Sequence, residues 1–264
     1  MRDDGPTGEM PFLEHLEELR YRLLWSLGAL MVAMMVAFAV VLRPSLDVIG
    51  FLAEPVLPFL PSGKLIFTHP ADPITISLKV AFGVGIVLSS PVIGYHVWRF
   101  LSPALHKHEK RVMVPVLVSA AILFGSGVYV GWRWVLPVML DVLFSIQSAS
   151  LQQMITAADY FSFMVTTCLA FGAASQLPIV VFALTALGIL TPRAMSKFRR
   201  HAMVGSVLVS AVVTPGDLIV MTALLALPMY GLYELSIIVS WFTYRAREKR
   251  LRNAAAESIG GASA

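Results

Sequence analysis

Charge is scarce in this chain. Only 14% of its 264 residues are Asp, Glu, Lys or Arg, against about 25% in an ordinary soluble domain, while 57% are apolar. Such a composition cannot cover its apolar surface with polar side chains, which excludes an ordinary soluble domain. A single cysteine, Cys168, excludes an intrachain disulfide and any cysteine-based metal site. Lying in an apolar run, it is expected to be a small buried apolar residue. The balance of 20 basic against 16 acidic residues gives a net charge of +4, which by itself suggests a nucleic-acid partner. However, the basic residues stand in short clusters between apolar runs instead of gathering on one polar surface, so no nucleic acid is expected. There is also no internal repeat, and no low-complexity segment apart from an Ala/Gly/Ser tail after Asn253, which is expected to be disordered.

What the chain has instead is long uncharged stretches. Residues 23–42, 80–98, 112–132 and 160–192 carry no Asp, Glu, Lys or Arg, and each can supply the roughly 20 apolar residues of a bilayer helix. The last third differs. Only 201–216 is free of charge before Asp217, and Thr214-Pro215-Gly216-Asp217 has the pattern of a tight turn. About 12 helical residues remain, roughly 18 Å at 1.5 Å per residue. A further apolar run extends to Tyr244, interrupted by Glu234. The expected fold is an all-α polytopic membrane protein of six transmembrane helices, the fifth short and forming a hairpin with the sixth. Its parts would be an amphipathic N-terminal segment at 1–22, a six-helix domain at 23–244, and a basic, then disordered, tail at 245–264.

Sixteen of the 20 basic residues fall in the N-terminal segment, the second and fourth loops and the tail. Arg43, Lys64, Lys79 and Arg133 are the four others. By the positive-inside rule both termini are expected in the cytoplasm. The first run is too long for a secretory signal and follows six acidic residues, so an uncleaved helix is expected. The outer segment 43–79 contains Pro44, Pro55, Pro58, Pro61, Pro70 and Pro73, which favours an ordered cap.

Before the first span, Phe12, Leu13, Leu16, Leu19 and Leu23 recur at helical spacing opposite Glu14, Glu17, Glu18 and Arg22, as on a helix lying in the membrane interface. Two readings stay open for its carboxylates. Glu18 can pair with Arg22 and Glu17 with Arg20 on the helix surface, or the acids can face the cytoplasm to receive a cationic ligand. In the second cytoplasmic loop Glu109 is an acid among bases. His106 and His108 there lack both helical i,i+4 spacing and cysteine partners, so no metal is expected. Within the apolar runs Glu234 is the one formal charge, seventeen residues after Asp217 and eleven before Arg245, near mid-membrane if its helix is continuous. A protonated acid bonded to a neighbouring helix and a partner-docking group are both compatible with that position. Gln176, beside Pro178, offers either glue between helices or a polar landing point.

Three segments resemble those of the TatC family, the multi-spanning receptor subunit of the twin-arginine protein translocase. His15-Leu16-Glu17-Glu18-Leu19-Arg20-Tyr21-Arg22-Leu23 is similar to its H-L-x-E-L-R-x-R-L opening. Tyr95-His96-Val97-Trp98-Arg99-Phe100, with Pro103-Ala104-Leu105 and His108-Glu109-Lys110-Arg111, resembles its second-loop signature. Thr214-Pro215-Gly216-Asp217 with Ala226-Leu227-Pro228-Met229-Tyr230 resembles the hairpin of its last two helices. The likeness runs from about Pro11 to Tyr244.

This resemblance implies a non-enzymatic receptor in the cytoplasmic membrane of a bacterium or archaeon, without cofactor. It would bind Arg-Arg signal peptides of folded cargo and recruit TatA- and TatB-like single-span membrane proteins, with several copies in the working complex. Glu18 and Glu109 match the carboxylates that accept the arginines, and Arg20 and Phe100 match their neighbours. Pro55 matches a functional proline of the cap, and Asp217 the hairpin acid. Gly216 stands where the family usually has a second proline, and Gln176 where many members carry Glu. Carboxylates suit the task, since a guanidinium offers a planar fork that they accept bidentately and that Lys cannot reproduce. A secondary transporter for a small solute is the alternative, but inverted repeats and several midplane polar groups would be expected of it. A membrane enzyme would need a metal cluster, paired Asp or a Cys–His constellation, and the spans hold none.

Overall fold

The computed structural model describes residues 10–60, 63–101, 110–145, 155–186, 188–214 and 219–261. Among them all regular structure is helical, apart from one isolated bridge between Ile66 and Thr156. Helix α1 spans Met10–Val41, α2 Val48–Ala53, α3 Asp72–Leu101 and α4 Lys110–Val130, with α5 at Leu136–Ser145. Then come α6 Ala157–Ala174, α7 Leu177–Ala186, α8 Pro192–Lys197, α9 Arg199–Val213 and α10 Ile219–Gly261. Five stretches are long and apolar enough to cross a membrane: Leu16–Val41, Asp72–Phe100, Pro115–Ser145, Ala157–Ala186 and Ile219–Lys249. These correspond to five of the six expected spans. The other, α9, has 15 residues, about 22 Å against a hydrocarbon core of about 30 Å.

Two boundaries differ from expectation. The amphipathic segment is not a separate interfacial helix, because α1 runs unbroken from Met10 through the first span. Between Phe12 and Leu27 there is neither Gly nor Pro to interrupt it. Likewise α10 continues to Gly261, across the tail whose composition suggests disorder. Its alanines favour helix, and Arg252 bonds Glu248 one turn earlier at 2.7 Å.

The chain divides into two compact units, Met1–Leu52 with Phe67–Ile122, and Ala53–Ile66 with Leu123–Ala264. The first is built on α1 against α3. A Cβ on Gly85 would lie 3.0 Å from the Met34 backbone, tighter than ordinary contact, so glycine favours this close approach. Arg22 meets His96 on the same two helices, which are therefore antiparallel. The buried Asp72 carboxylate accepts the Thr68 and His69 N–H groups at 2.8 and 2.9 Å, fixing the entry to α3.

In the second unit, Met139, Phe171, Ala174, Val213, Met221, Leu225 and Met229 form a buried core. Thr185 and Ser240 hydroxyls bond at 2.9 Å in full burial between α7 and α10. The cap segment 53–66 is tied down by backbone bonds and by a ring contact. Ala157 N–H donates to the Ile66 carbonyl at 2.8 Å, and Phe59 packs on Phe144 with centroids 5.1 Å apart.

Candidate functional site

The α1–α3 pair sets the first group of residues. Met34 lies opposite Gly85, and Arg22 opposite His96. Continuing this antiparallel register places Glu18 level with Phe100 and Arg20 level with Trp98, at one end of both helices. Glu109, nine residues beyond Phe100, lies outside the described residues.

Arg22 organises this end. Its residue is only 9% exposed, although it carries a permanent charge. Burying a guanidinium without partners costs several kcal/mol, at an order-of-magnitude level. One Nη therefore meets the Glu18 carboxylate and the other donates to the His96 carbonyl at 3.4 Å. Glu18 remains 35% exposed at its side chain, so its carboxylate is held from below and open to solvent. The i,i+4 pairing allowed by spacing is present, whereas Glu17 and Arg20 are exposed and form no ion pair with each other. Nearby, Arg99 donates to the Tyr95 hydroxyl at 2.9 Å and lies over its ring. Phe100 is half-buried.

The remaining candidates belong to the second unit. Gln176 is half-buried where the fourth span breaks between α6 and α7. The break has a local cause, since Pro178 has no N–H for the Ala174 carbonyl and its ring crowds it. The Gln176 carbonyl accepts from Ile179 and Val180 at 3.1 and 3.0 Å, restarting the helix. Pro55 is half-buried in the turn closed by Val56 N–H on the Ala53 carbonyl at 3.0 Å. Asp217 lies outside the described residues, as does Gly216.

Glu234 is not an isolated charge. It accepts from Arg199 at 2.9 Å and from the Tyr230 hydroxyl at 2.6 Å. Tyr233 stacks on Tyr230 and donates to the Met195 carbonyl at 2.8 Å, so α8, α9 and α10 are joined at one level. Its helix is continuous, and Glu234 lies midway along the apolar stretch Ile219–Lys249. The antiparallel α9 brings its own basic first turn to that level. Counting from the turn would have found the pair: Arg199 is sixteen residues before Pro215, and Glu234 seventeen after Asp217.

The family description "Sec-independent protein translocase protein (TatC)" matches residues 14–228. The chain belongs to the TatC family. It is 34% identical over 242 residues to the Sec-independent protein translocase protein TatC of Aquifex aeolicus, covering 91% of this chain and 98% of that protein. To the TatC of Escherichia coli K12 it is 36% identical over 233 residues, 88% of each chain. The solved structure titled "Crystal Structure of Twin Arginine Translocase Receptor- TatC" superposes with a TM-score of 0.77 at 34% identity, covering 87% of this chain and 99% of that one. TatC membership makes this chain a multi-pass membrane subunit of a protein translocase, a transport component and not an enzyme.

Proposed function

We propose that this chain reads Arg-Arg signal peptides at the end shared by α1 and α3, through Glu18 and Glu109, with Arg20 and Phe100 shaping the surface. In this reading it lies in a bacterial cytoplasmic membrane, crosses six times, and keeps both termini in the cytoplasm. It then recruits TatA- and TatB-like single-span proteins through Gln176 and the α9–α10 hairpin, with Pro55 and Asp217 taking part in transport, in a complex of several copies. The observation that carries the proposal is the Glu18 carboxylate, seated on buried Arg22 yet partly open, level with Phe100. A signal's guanidinium can share that carboxylate. A solved family neighbour is titled a twin-arginine translocase receptor, which supports the same reading.

The test is binding of an Arg-Arg signal peptide to the full chain in gentle detergent. Glu18→Ala and Glu109→Ala should each weaken it about tenfold or more, since a hydrogen bond to a charged group is worth about 1.5–3 kcal/mol. Charge reversal to Lys should be worse. Unchanged affinity in both single variants would remove the assignment.

A further inference from the structure

The third span contains a π-helical turn at Gly131–Val135, in which the Leu136 N–H bonds the Gly131 carbonyl five residues back. Two features of the sequence cause it. Pro137 has no N–H to give the Arg133 carbonyl, and its ring crowds that carbonyl, so the ladder must widen one turn earlier. Gly131 is buried against α6, where a Cβ would lie 3.2 Å from the Cys168 Cα, so a larger residue would crowd that helix. Single π turns inside α-helices occur frequently at functional sites.

This turn displays an unusual set of side chains. Arg133 is exposed, with Trp134 60% and Tyr129 54% exposed. The Tyr129 ring lies 6.2 Å from that of Trp132 and 6.4 Å from that of Trp134, so three aromatic rings cluster on the turn that carries Arg133. Tyr and Trp concentrate at the headgroup level of membranes. Counted along the chain, the uncharged run 112–132 that leads to Arg133 is 21 residues, or about 31 Å. That is close to the thickness of the hydrocarbon core, which places the turn at the headgroup region opposite to the one where the span enters.

We propose that the π turn is a binding site for the headgroup of an anionic phospholipid. Arg133 takes the phosphate with its planar donor fork, and Tyr129, Trp132 and Trp134 fix its depth. The ligand is a lipid and not a free anion because the cation sits within an apolar, ring-lined surface at bilayer-interface depth. The site would tie this span to the bilayer while α6 packs on its other side.

The probe is phosphatidylglycerol with dibrominated acyl chains, mixed into phosphatidylcholine nanodiscs that hold the full chain. With Trp25, Trp98 and Trp241 replaced by Phe, only Trp132 and Trp134 report, and bromine quenches them on contact. Phosphatidylglycerol should be preferred over identically brominated phosphatidylcholine about fivefold, the factor one basic residue near an anionic surface confers. In Arg133→Gln the preference should fall to about one, and Arg133→Lys, a point charge without the fork, should retain only part of it. No preference in the parent protein, or a preference unchanged in Arg133→Gln, would overturn the proposal. Arg133 is exposed, so its replacement leaves the fold intact, which a melting curve checks directly.

Discussion

Arg22 is the residue on which the proposed receptor end depends most. It is almost fully buried and holds Glu18 from beneath, so its loss acts on stability and recognition together. Arg22→Gln should cost about 1–3 kcal/mol in denaturant unfolding, the cost of leaving a buried partner group unsatisfied. It should also weaken signal-peptide binding, because Glu18 loses the partner that holds it. The Arg199–Glu234 pair is different, being 51% and 34% exposed at its side chains. A double-mutant cycle there should give about 0.6–2 kcal/mol of coupling, as polar contacts between membrane helices do. Gln176 gives a third residue-scale expectation. Gln176→Leu should lower co-purification of single-span partners with signal binding nearly unchanged, while Gln176→Glu, which keeps a polar group there, should recruit normally. Normal recruitment by the Leu variant would make Gln176 ordinary packing. The Glu18–Arg22 spacing was legible in the sequence. The His96 carbonyl that completes the Arg22 environment was not, because it is 74 residues away and set by helix packing.

Among the elements, α9 is the one that does not fit a bilayer. Its first turn is Arg199-Arg200-His201, so its apolar part is 202–213, close to the 12 residues expected from the run lengths. An apolar length of about 18 Å must be met by thinning, tilt or protein cover. Its outward side chains, with Val212 87% and Leu208 62% exposed, are apolar and suited to lipid or a partner helix. Adding one apolar turn to α9 and to the facing part of α10 should leave signal binding intact and impair transport. Transport at the parent rate would show that the short hairpin plays no part in it. Length and charge spacing marked this helix correctly. They could not mark the continuity of α1 or the extension of α10 to Gly261. Each of those depends on the absence of a helix breaker where polarity changes, and polarity alone says nothing of breakers.

At the scale of the whole molecule, the distribution of basic residues predicts a topology that labelling can check. Cys168 is the one native cysteine and is buried, so introduced cysteines can be read without background. A membrane-impermeant maleimide should reach Asp4→Cys and Ala262→Cys from the cytoplasmic side only, and Lys64→Cys from the outside only. Termini on opposite sides would contradict six crossings. Composition, run lengths and three motifs carried the sequence to membrane class and family. The register that brings Glu18 level with Phe100 needed Gly85 against Met34, a contact no periodicity reveals. The central claim is that this register builds the signal-binding surface. Its most direct test is photo-crosslinking, with a reactive group beside the arginines of an Arg-Arg signal peptide and the full chain in gentle detergent. Crosslinks should map to α1 around Glu18 and α3 around Phe100, and a Lys-Lys peptide should lose most of them. Crosslinks confined to α9 and α10, or equal in yield for the Lys-Lys peptide, would contradict it.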